Sequence, residues 1–514
     1  MDEIKTMKEL VDYAAAQYKE KAAYRYLRKK EVIEKTFKNV KEDSEAFARG
    51  LSRIAKDQEH VALIGPTSYE YLIAYFGTVN SGHVAVPLDK EQTTEEICSL
   101  IMRADVTVFV YDASYLDVAK KVKEKCPEVR SFVNMQDVLL KEFESSLWDL
   151  IEENRGVYER TIEPDSLASI VYTSGTTGKS KGVMLSHYNQ VYNAVCVDMG
   201  IDSNTAVTLS VLPIHHTYCF TCDILTGLYF GVTVCMNDSM MHLVRNLSVF
   251  HPTIMLVVPM IAESILYRLK EAHKANPDVP KPILAKKALG GALTTVYCGG
   301  AYLNPAFIPE FMEYGIYLRQ GYGMTESAPR ISNNFQNEFK ADSVGKLLPG
   351  VQVKVEDGEI LVKSPSVMMG YYKDRENTEK TLKNGWLKTG DLGYVDQDDF
   401  LYISGRKKNL IILSNGENVS PEGIENRLKE NQLVKEVLVY EEDNRITAEI
   451  YPDAEYARIN GILDIPAAIT SLVEETNRYA PAFQKVVKVK MREEEFPKTT
   501  SKKIRRKYVA ESEK

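Results

Sequence analysis

Short β-branched runs alternate with helix-period segments through the first part of the chain, and this rhythm limits the fold more than any other feature. Met7, Leu10, Val11, Ala14 and Tyr18 recur at helical spacing. His60 to Ile64 then reads as a short apolar strand and 69–79 as a helix. Gly82 punctuates, Val84 to Leu88 is a strand again, and Val106 to Tyr111 is a further β-branched run. Strand–helix–strand alternation needs crossover connections, and a largely parallel sheet with packed helices supplies them. With 514 residues the chain exceeds one core of about 150 residues, so satellite regions are expected around the main one.

The texture changes near Val344. From there to Ile403 the chain is dense in Gly, Asp and Asn, with alternating stretches such as VQVKVEDGEILVK. That pattern predicts small antiparallel hairpins in a compact, barrel-like subdomain. After Gly405 an α+β pattern resumes, with Ser420 as N-cap and Pro421 in the first turn of a helix. The expected fold is therefore α/β. A large N-terminal region (1–404) of mixed, mostly parallel sheets with helices carries a β-rich subdomain at 344–404, and a small α+β region (409–514) follows the GRKK boundary at 405–408.

Composition excludes several classes. Lys+Arg 64 against Asp+Glu 72 leaves a net charge of −8, which argues against a nucleic-acid partner. The start MDEIKTMKEL lacks a basic segment followed by an apolar one, so no secretory signal is expected. The apolar stretch IMLVVPMIA has nine residues and contains Pro259, about half of a bilayer span, so no transmembrane segment is expected. Seven cysteines point to reduced thiols and a cytoplasmic location. Cys219 and Cys222 form a CxxC with no second pair and apolar flanks, and read as buried free thiols.

The richest chemistry lies in IVYTSGTTGKSKGVMLSH, Ile170 to His187. A β-branched strand end runs into Thr173, Ser174, Gly175, Thr176, Thr177 and Gly178, followed by Lys179 and Lys181. Glycines admit a phosphate close to the backbone, hydroxyls donate to its oxygens, and lysine supplies charge. A Walker loop fits at Gly178-Lys179-Ser180 but needs a glycine where Thr173 stands. The segment resembles instead the signature of the acyl-adenylate-forming superfamily, with Ser180 in place of the usual proline, and further motifs follow in that family's order to about residue 506.

The resemblance assigns expected roles. GYGMTES matches the YGxTE motif: Gly321, Tyr322 and Gly323 form an adenine face, Thr325 places a hydroxyl on the α-phosphate, and Glu326 is an oxygen ligand for Mg²⁺. YCGGAYL resembles the adenine-wrapping loop, where Gly299, Gly300 and Ala301 are small. KTGDLG supplies Asp391 for the ribose hydroxyls, and SGRKKNL supplies Arg406 for the ribose and phosphate side. Lys408 falls on the hinge about which a mobile C-terminal domain turns, whereas Lys407 reads as a solvated charge. FPKTTSKKIRR resembles the C-terminal lysine motif, with Lys503 as the catalytic lysine and Lys502 where glycine is usual. LPIHHTY puts His216 beside the carboxylate pocket, and its paired histidines resemble acyl-CoA synthetases. Asn415 and Gly416 resemble the loop that lines a pantetheine tunnel.

The chain is thus identified as a member of that superfamily, resembling bacterial long-chain fatty-acid synthetases. The resemblance implies ATP, Mg²⁺ and CoA as cofactors and a small-molecule carboxylic acid, a medium- or long-chain fatty acid, as substrate. The carboxylate attacks the α-phosphorus, pyrophosphate leaves, and a thiol then takes the acyl group. Two alternatives stand beside it: transfer to the phosphopantetheine arm of an acyl carrier protein, and a weakly catalytic nucleotide- and acyl-binding protein.

Overall fold

The computed structural model describes residues 4–136, 145–173, 180–335, 337–414, 417–478, 480–498 and 504–506. Two large sheets and the helices around them make up most of it. The expected helix is Met7–Tyr18, started by a Thr6–Glu9 capping box. The alternation holds: His60–Ile64, Val84–Pro87 and Val106–Tyr111 are strands, with the helix Tyr69–Asn80 between the first two.

The first sheet has eight strands, in the order Gly370–Tyr371, Lys181–Ser186, Leu167–Thr173, Val84–Pro87, His60–Ile64, Val106–Tyr111, Ser131–Asn134 and Ser145–Ser146. It is parallel from Leu167–Thr173 onward and antiparallel at the other edge. The second sheet has nine strands. Its parallel centre comprises Tyr317–Gly323, Thr295–Cys298, Ile254–Val257, Val207–Ser210, Thr233–Met236 and Ala22–Arg28.

Alternation along each strand decides the layers. Val61 and Leu63 face a core shared with helices Met7–Tyr18, Phe37–Ile54 and Tyr69–Asn80, whereas Ala62 and Ile64 face the outer helices Thr94–Arg103 and Leu116–Lys125. Val234 and Met236 of the second sheet join the same central core, so helices are sandwiched between the sheets. The outer face of the second sheet, through Leu209, Val257, Val296 and Leu318, packs on Leu243–Phe250 and Pro259–Ala275.

The β-rich stretch forms a five-stranded antiparallel sheet of Gln352–Glu356, Glu359–Lys363, Trp386–Val395, Leu382–Lys383 and Leu401–Arg406. The C-terminal part has its own core around Val419, Ile424, Leu428, Val437, Ile450 and Ile469. It is built from the helices Pro421–Lys429 and Ile465–Arg478 and a three-stranded sheet.

Two local expectations need correction. Ser420 holds the N-cap position, but its side chain accepts no helix N–H: its hydroxyl donates to the Ser404 carbonyl at 2.9 Å, tying the helix to the strand Leu401–Arg406. Lys407 is not merely solvated; it pairs with the buried Glu359 at 2.8 Å. The seven cysteines are all free, with Cys219 buried, and burial raises the Cys222 thiol to about 11. No helix among the described residues is long and apolar enough to cross a membrane.

Candidate functional site

The hydroxyl-rich segment begins on a hairpin. Thr173 ends one strand and Lys181 begins the next, and the two face each other across an antiparallel pair. A Walker loop instead leads from a strand directly into a helix; here the helix His187–Val195 starts only after the second strand. Thr173 and Lys181 are both partly buried, and the Lys181 ammonium donates to Asn377 Oδ1 at 3.1 Å. Ser174, Gly175, Thr176, Thr177 and Gly178 lie outside the described residues, as do Asn415, Gly416 and Lys503.

The second sheet brings the next group together at the carboxyl ends of its strands. Thr295–Cys298 and Tyr317–Gly323 run parallel with Cys298 opposite Gln320, so Gly299, Gly300 and Ala301 emerge beside Gly321. A Cβ on Gly299 would stand 3.3 Å from the Gly321 carbonyl and 3.4 Å from the Tyr218 ring, so a side chain there would press closely on both. A Cβ on Gly323 would overlap the Pro329 carbonyl. That contact folds the Thr325–Ser327 turn back under the strand end and presents Thr325 and Glu326, both partly buried.

The third sheet closes over the Tyr322 ring. Asp391 and Arg406 face each other across the strands Trp386–Val395 and Leu401–Arg406, with Arg406 Nε 2.6 Å from Asp391 Oδ1. The Tyr322 hydroxyl donates to the other Asp391 oxygen. Burial and the Asp391 charge both hold the Tyr322 phenol well above its ordinary range, so it stays a neutral donor. A flat aromatic face, a buried carboxylate and a guanidinium therefore meet in one place, the complement of a purine, a ribose and a phosphate.

Glu326 is met by Tyr371, whose hydroxyl donates to Oε1 at 2.9 Å. Mg²⁺ takes one or two carboxylates plus phosphate oxygens and water, and Glu326 offers such a carboxylate at the turn that follows the Tyr322 strand. His216 is exposed at the start of the helical segment Thr217–Phe230, its ring 4.3 Å from that of His215. His215 turns inward, with Nε2 3.6 Å from Asp89 Oδ1. Burial and the neighbouring His216 keep it neutral, well below the usual imidazole range. Lys408 lies in a short turn, 407–409, just after Arg406.

Three positions that support the site escaped the motif reading. Glu359 accepts from the Gly390 amide at 3.2 Å and so supports the turn before Asp391. Asn193 is fully buried: its amide donates to the Ser327 and Arg330 carbonyls at 3.2 and 2.9 Å, and its oxygen accepts from the Arg330 amide. Tyr371 is the third. The GYY run was the one sequence signal near it, and its spacing alone points to no partner.

A model of the AMP-binding enzyme family matches residues 11–372, and one of the AMP-binding enzyme C-terminal domain matches 408–512. Long-chain-fatty-acid–CoA ligase FadD15 of Mycobacterium bovis is 27% identical over 428 residues, covering 74% of this chain and 70% of that protein. The long-chain-fatty-acid–CoA ligase of Salmonella typhimurium is 26% identical over 482 residues, covering 85% and 83%. Among solved structures, an anthranilate CoA ligase in complex with anthranoyl-AMP superposes with a TM-score of 0.86 at 20% identity, over 99% of this chain and 98% of that one. ATP-bound MatB from Rhodopseudomonas palustris gives 0.81 at 24% identity, over 98% of each chain. At such identities the structural likeness speaks for the fold.

Proposed function

The chain belongs to the AMP-binding enzyme family, and we propose that within it this protein joins a medium- or long-chain fatty acid to ATP as an acyl-adenylate and then passes the acyl group to CoA. The observation that carries this reading is the meeting of Tyr322, Asp391 and Arg406 at the strand ends beside Gly299–Ala301, with Thr325 and Glu326 on the following turn. The names of the relatives from Mycobacterium bovis and Salmonella typhimurium support a fatty acid and CoA.

In this reading adenine stacks on Tyr322 and lies against Gly299, Gly300 and Ala301. Asp391 accepts from the ribose hydroxyls, and Arg406 reaches the phosphate side. Thr173 to Gly178 and Lys181 hold the outer phosphates, and Thr325 donates to the α-phosphate. Glu326 holds Mg²⁺, which when bound neutralises triphosphate charge. His216 borders the acid carboxylate; its neighbour His215 is uncharged and adds no competing cation.

Adenylation demands that two anions approach each other, so charge neutralisation and positioning outweigh covalent help. Lys503 supplies the cation between them. At about 4 Å and an effective dielectric of 20, such a charge contributes about 4 kcal/mol, or roughly a thousandfold in rate. Gly405 to Lys408 then serves as the hinge between residues 1–404 and 409–514. The C-terminal part turns there to withdraw Lys503 and bring Asn415 and Gly416 to the thiol path.

Incubation with ATP, Mg²⁺, CoA and a fatty-acid panel is expected to yield AMP and an acyl-CoA thioester. Formation of ADP overturns the reading. Thioester on a carrier-protein pantetheine but not on CoA changes the acceptor. Equally slow pyrophosphate exchange by wild type and Lys503→Ala leaves a binding protein with little turnover.

A further inference from the structure

Tyr371 is 5% exposed and belongs to a two-residue strand at the edge of the first sheet, paired with Val183 of the phosphate-loop hairpin. Its backbone amide donates to Thr378 Oγ1 at 2.9 Å, which fixes the strand from behind. Lys181 projects from the same face of the neighbouring strand as Val183, and its ammonium stands 4.8 Å from the Tyr371 ring centroid. The Tyr371 hydroxyl donates to Glu326 Oε1 at 2.9 Å. Immediately before this strand, the Met368 amide donates to the Glu326 carbonyl at 2.9 Å. One phenol thus presents its face to a cation and its hydroxyl to an anion.

We propose that Tyr371 is a positioning residue that holds Glu326 ready for Mg²⁺ and keeps Lys181 from pairing with that carboxylate. The inference rests on the reading of Glu326 as the metal ligand. A lysine and a glutamate placed one side chain apart in a partly buried site attract strongly, and a direct ion pair would have to be broken each time nucleotide and metal bind. The phenol intervenes without adding charge. Its π face receives the ammonium, which also donates to Asn377 Oδ1. Its hydroxyl occupies one carboxylate oxygen, Oε1, so the carboxylate would keep its orientation and its remaining acceptor capacity for a metal. Outer partners of this kind set the orientation and affinity of metal-binding carboxylates.

The test compares Tyr371→Phe, which keeps the ring and deletes the hydroxyl, with Tyr371→Leu, which deletes both. Mn²⁺ binding to the enzyme–ATP complex is read by electron paramagnetic resonance of the free ion, beside ATP–pyrophosphate exchange across a Mg²⁺ titration. Tyr371→Phe is expected to weaken Mn²⁺ binding about tenfold, with exchange returning to within about twofold of wild type at saturating Mg²⁺. Tyr371→Leu is expected to raise the KM for ATP as well, because Lys181 loses its aromatic partner and keeps only Asn377. Should Tyr371→Leu not fold, Tyr371→Phe alone decides. Mn²⁺ affinity unchanged in Tyr371→Phe, or an exchange defect that Mg²⁺ does not restore, overturns the inference. Glu326→Gln separates the two levels. If it weakens Mn²⁺ binding and Tyr371→Phe does not, the role of Tyr371 fails and the metal assignment stands. If Glu326→Gln has no effect, the metal assignment fails and this inference with it.

Discussion

Asp223 measures how strictly the layer between the two sheets excludes water. It lies in the π-helical stretch Phe220–Leu225, 2% exposed, against the strand Val207–Ser210. The Thr208 hydroxyl donates to Oδ1 at 3.2 Å, and Oδ2 has no hydrogen-bond partner. Burial outweighs the hydroxyls of Ser210 and Thr208 and pushes the carboxyl from 3.8 up to about 7. An acid whose folded pKa exceeds its unfolded one keeps its proton in the native state after the unfolded chain has released it. Stability therefore falls as pH rises between the two values and levels off above the higher one. Each unit of pH in that window costs about 1.4 kcal/mol, so from about pH 5 to about pH 7 wild type loses about 3 kcal/mol relative to Asp223→Asn, which keeps the shape and cannot ionise. With an unfolding entropy of about 2 cal/mol/K per residue over roughly 400 residues, that is about 3–4 °C in Tm. Thermal unfolding of both proteins at pH 5 and pH 8 is the assay. The Asn variant is expected to gain about 3–4 °C over wild type between the two conditions. An equal Tm gap at both pH values refutes the assignment of a buried, proton-retaining carboxyl.

Asp391→Asn removes the charge that the proposed function assigns to the ribose hydroxyls, while leaving the half-exposed Arg406 to water. Isothermal titration should show ATP binding weakened by about 2–3 kcal/mol, roughly 30- to 150-fold, and a change within twofold contradicts the ribose role. Gly323→Ala places a methyl group on the Pro329 carbonyl. It should displace the Thr325–Glu326 turn and abolish pyrophosphate exchange while costing about 1–3 kcal/mol of stability; full exchange would show that the turn tolerates the shift. Asn193→Ala strips the buried Arg330 amide of its acceptor and two carbonyls of a donor. It should cost about 3 kcal/mol in a denaturant melt, and a loss under 1 kcal/mol would mean that the pocket refills with water.

Local pattern announced the elements that depend on local physics. The alternating apolar and β-branched runs at His60–Ile64 and Val106–Tyr111 became buried parallel strands, because period-two side chains must cover both faces of a sheet. The helical spacing of Met7, Leu10, Val11, Ala14 and Tyr18 became a helix as well, its start fixed by a capping box at Thr6 and Glu9 that the structure shows. Ser420 took the N-cap position, but its oxygen accepts no helix N–H; the hydroxyl is turned toward the Ser404 carbonyl that tertiary packing supplies. Lys407 looked solvated because its partner Glu359 lies 48 residues earlier.

The sequence by itself therefore determined the layered α/β class and the chemical kinds of side chain available: hydroxyls and lysines around 173–181, an aromatic at 322, carboxylates at 326 and 391. Their order along the chain also placed them in an adenylate-forming family. Only the tertiary structure decided what they touch. Tyr322 and Asp391 are brought together from 69 positions apart by the closing of one sheet over another. Tyr371 gains its place between Lys181 and Glu326 by adding one short strand to an edge, and burial between two packed layers pushes the Asp223 carboxyl up. Hydrogen bonds, dielectric and ion pairing depend on distance through space, and a linear pattern carries that distance only for near neighbours.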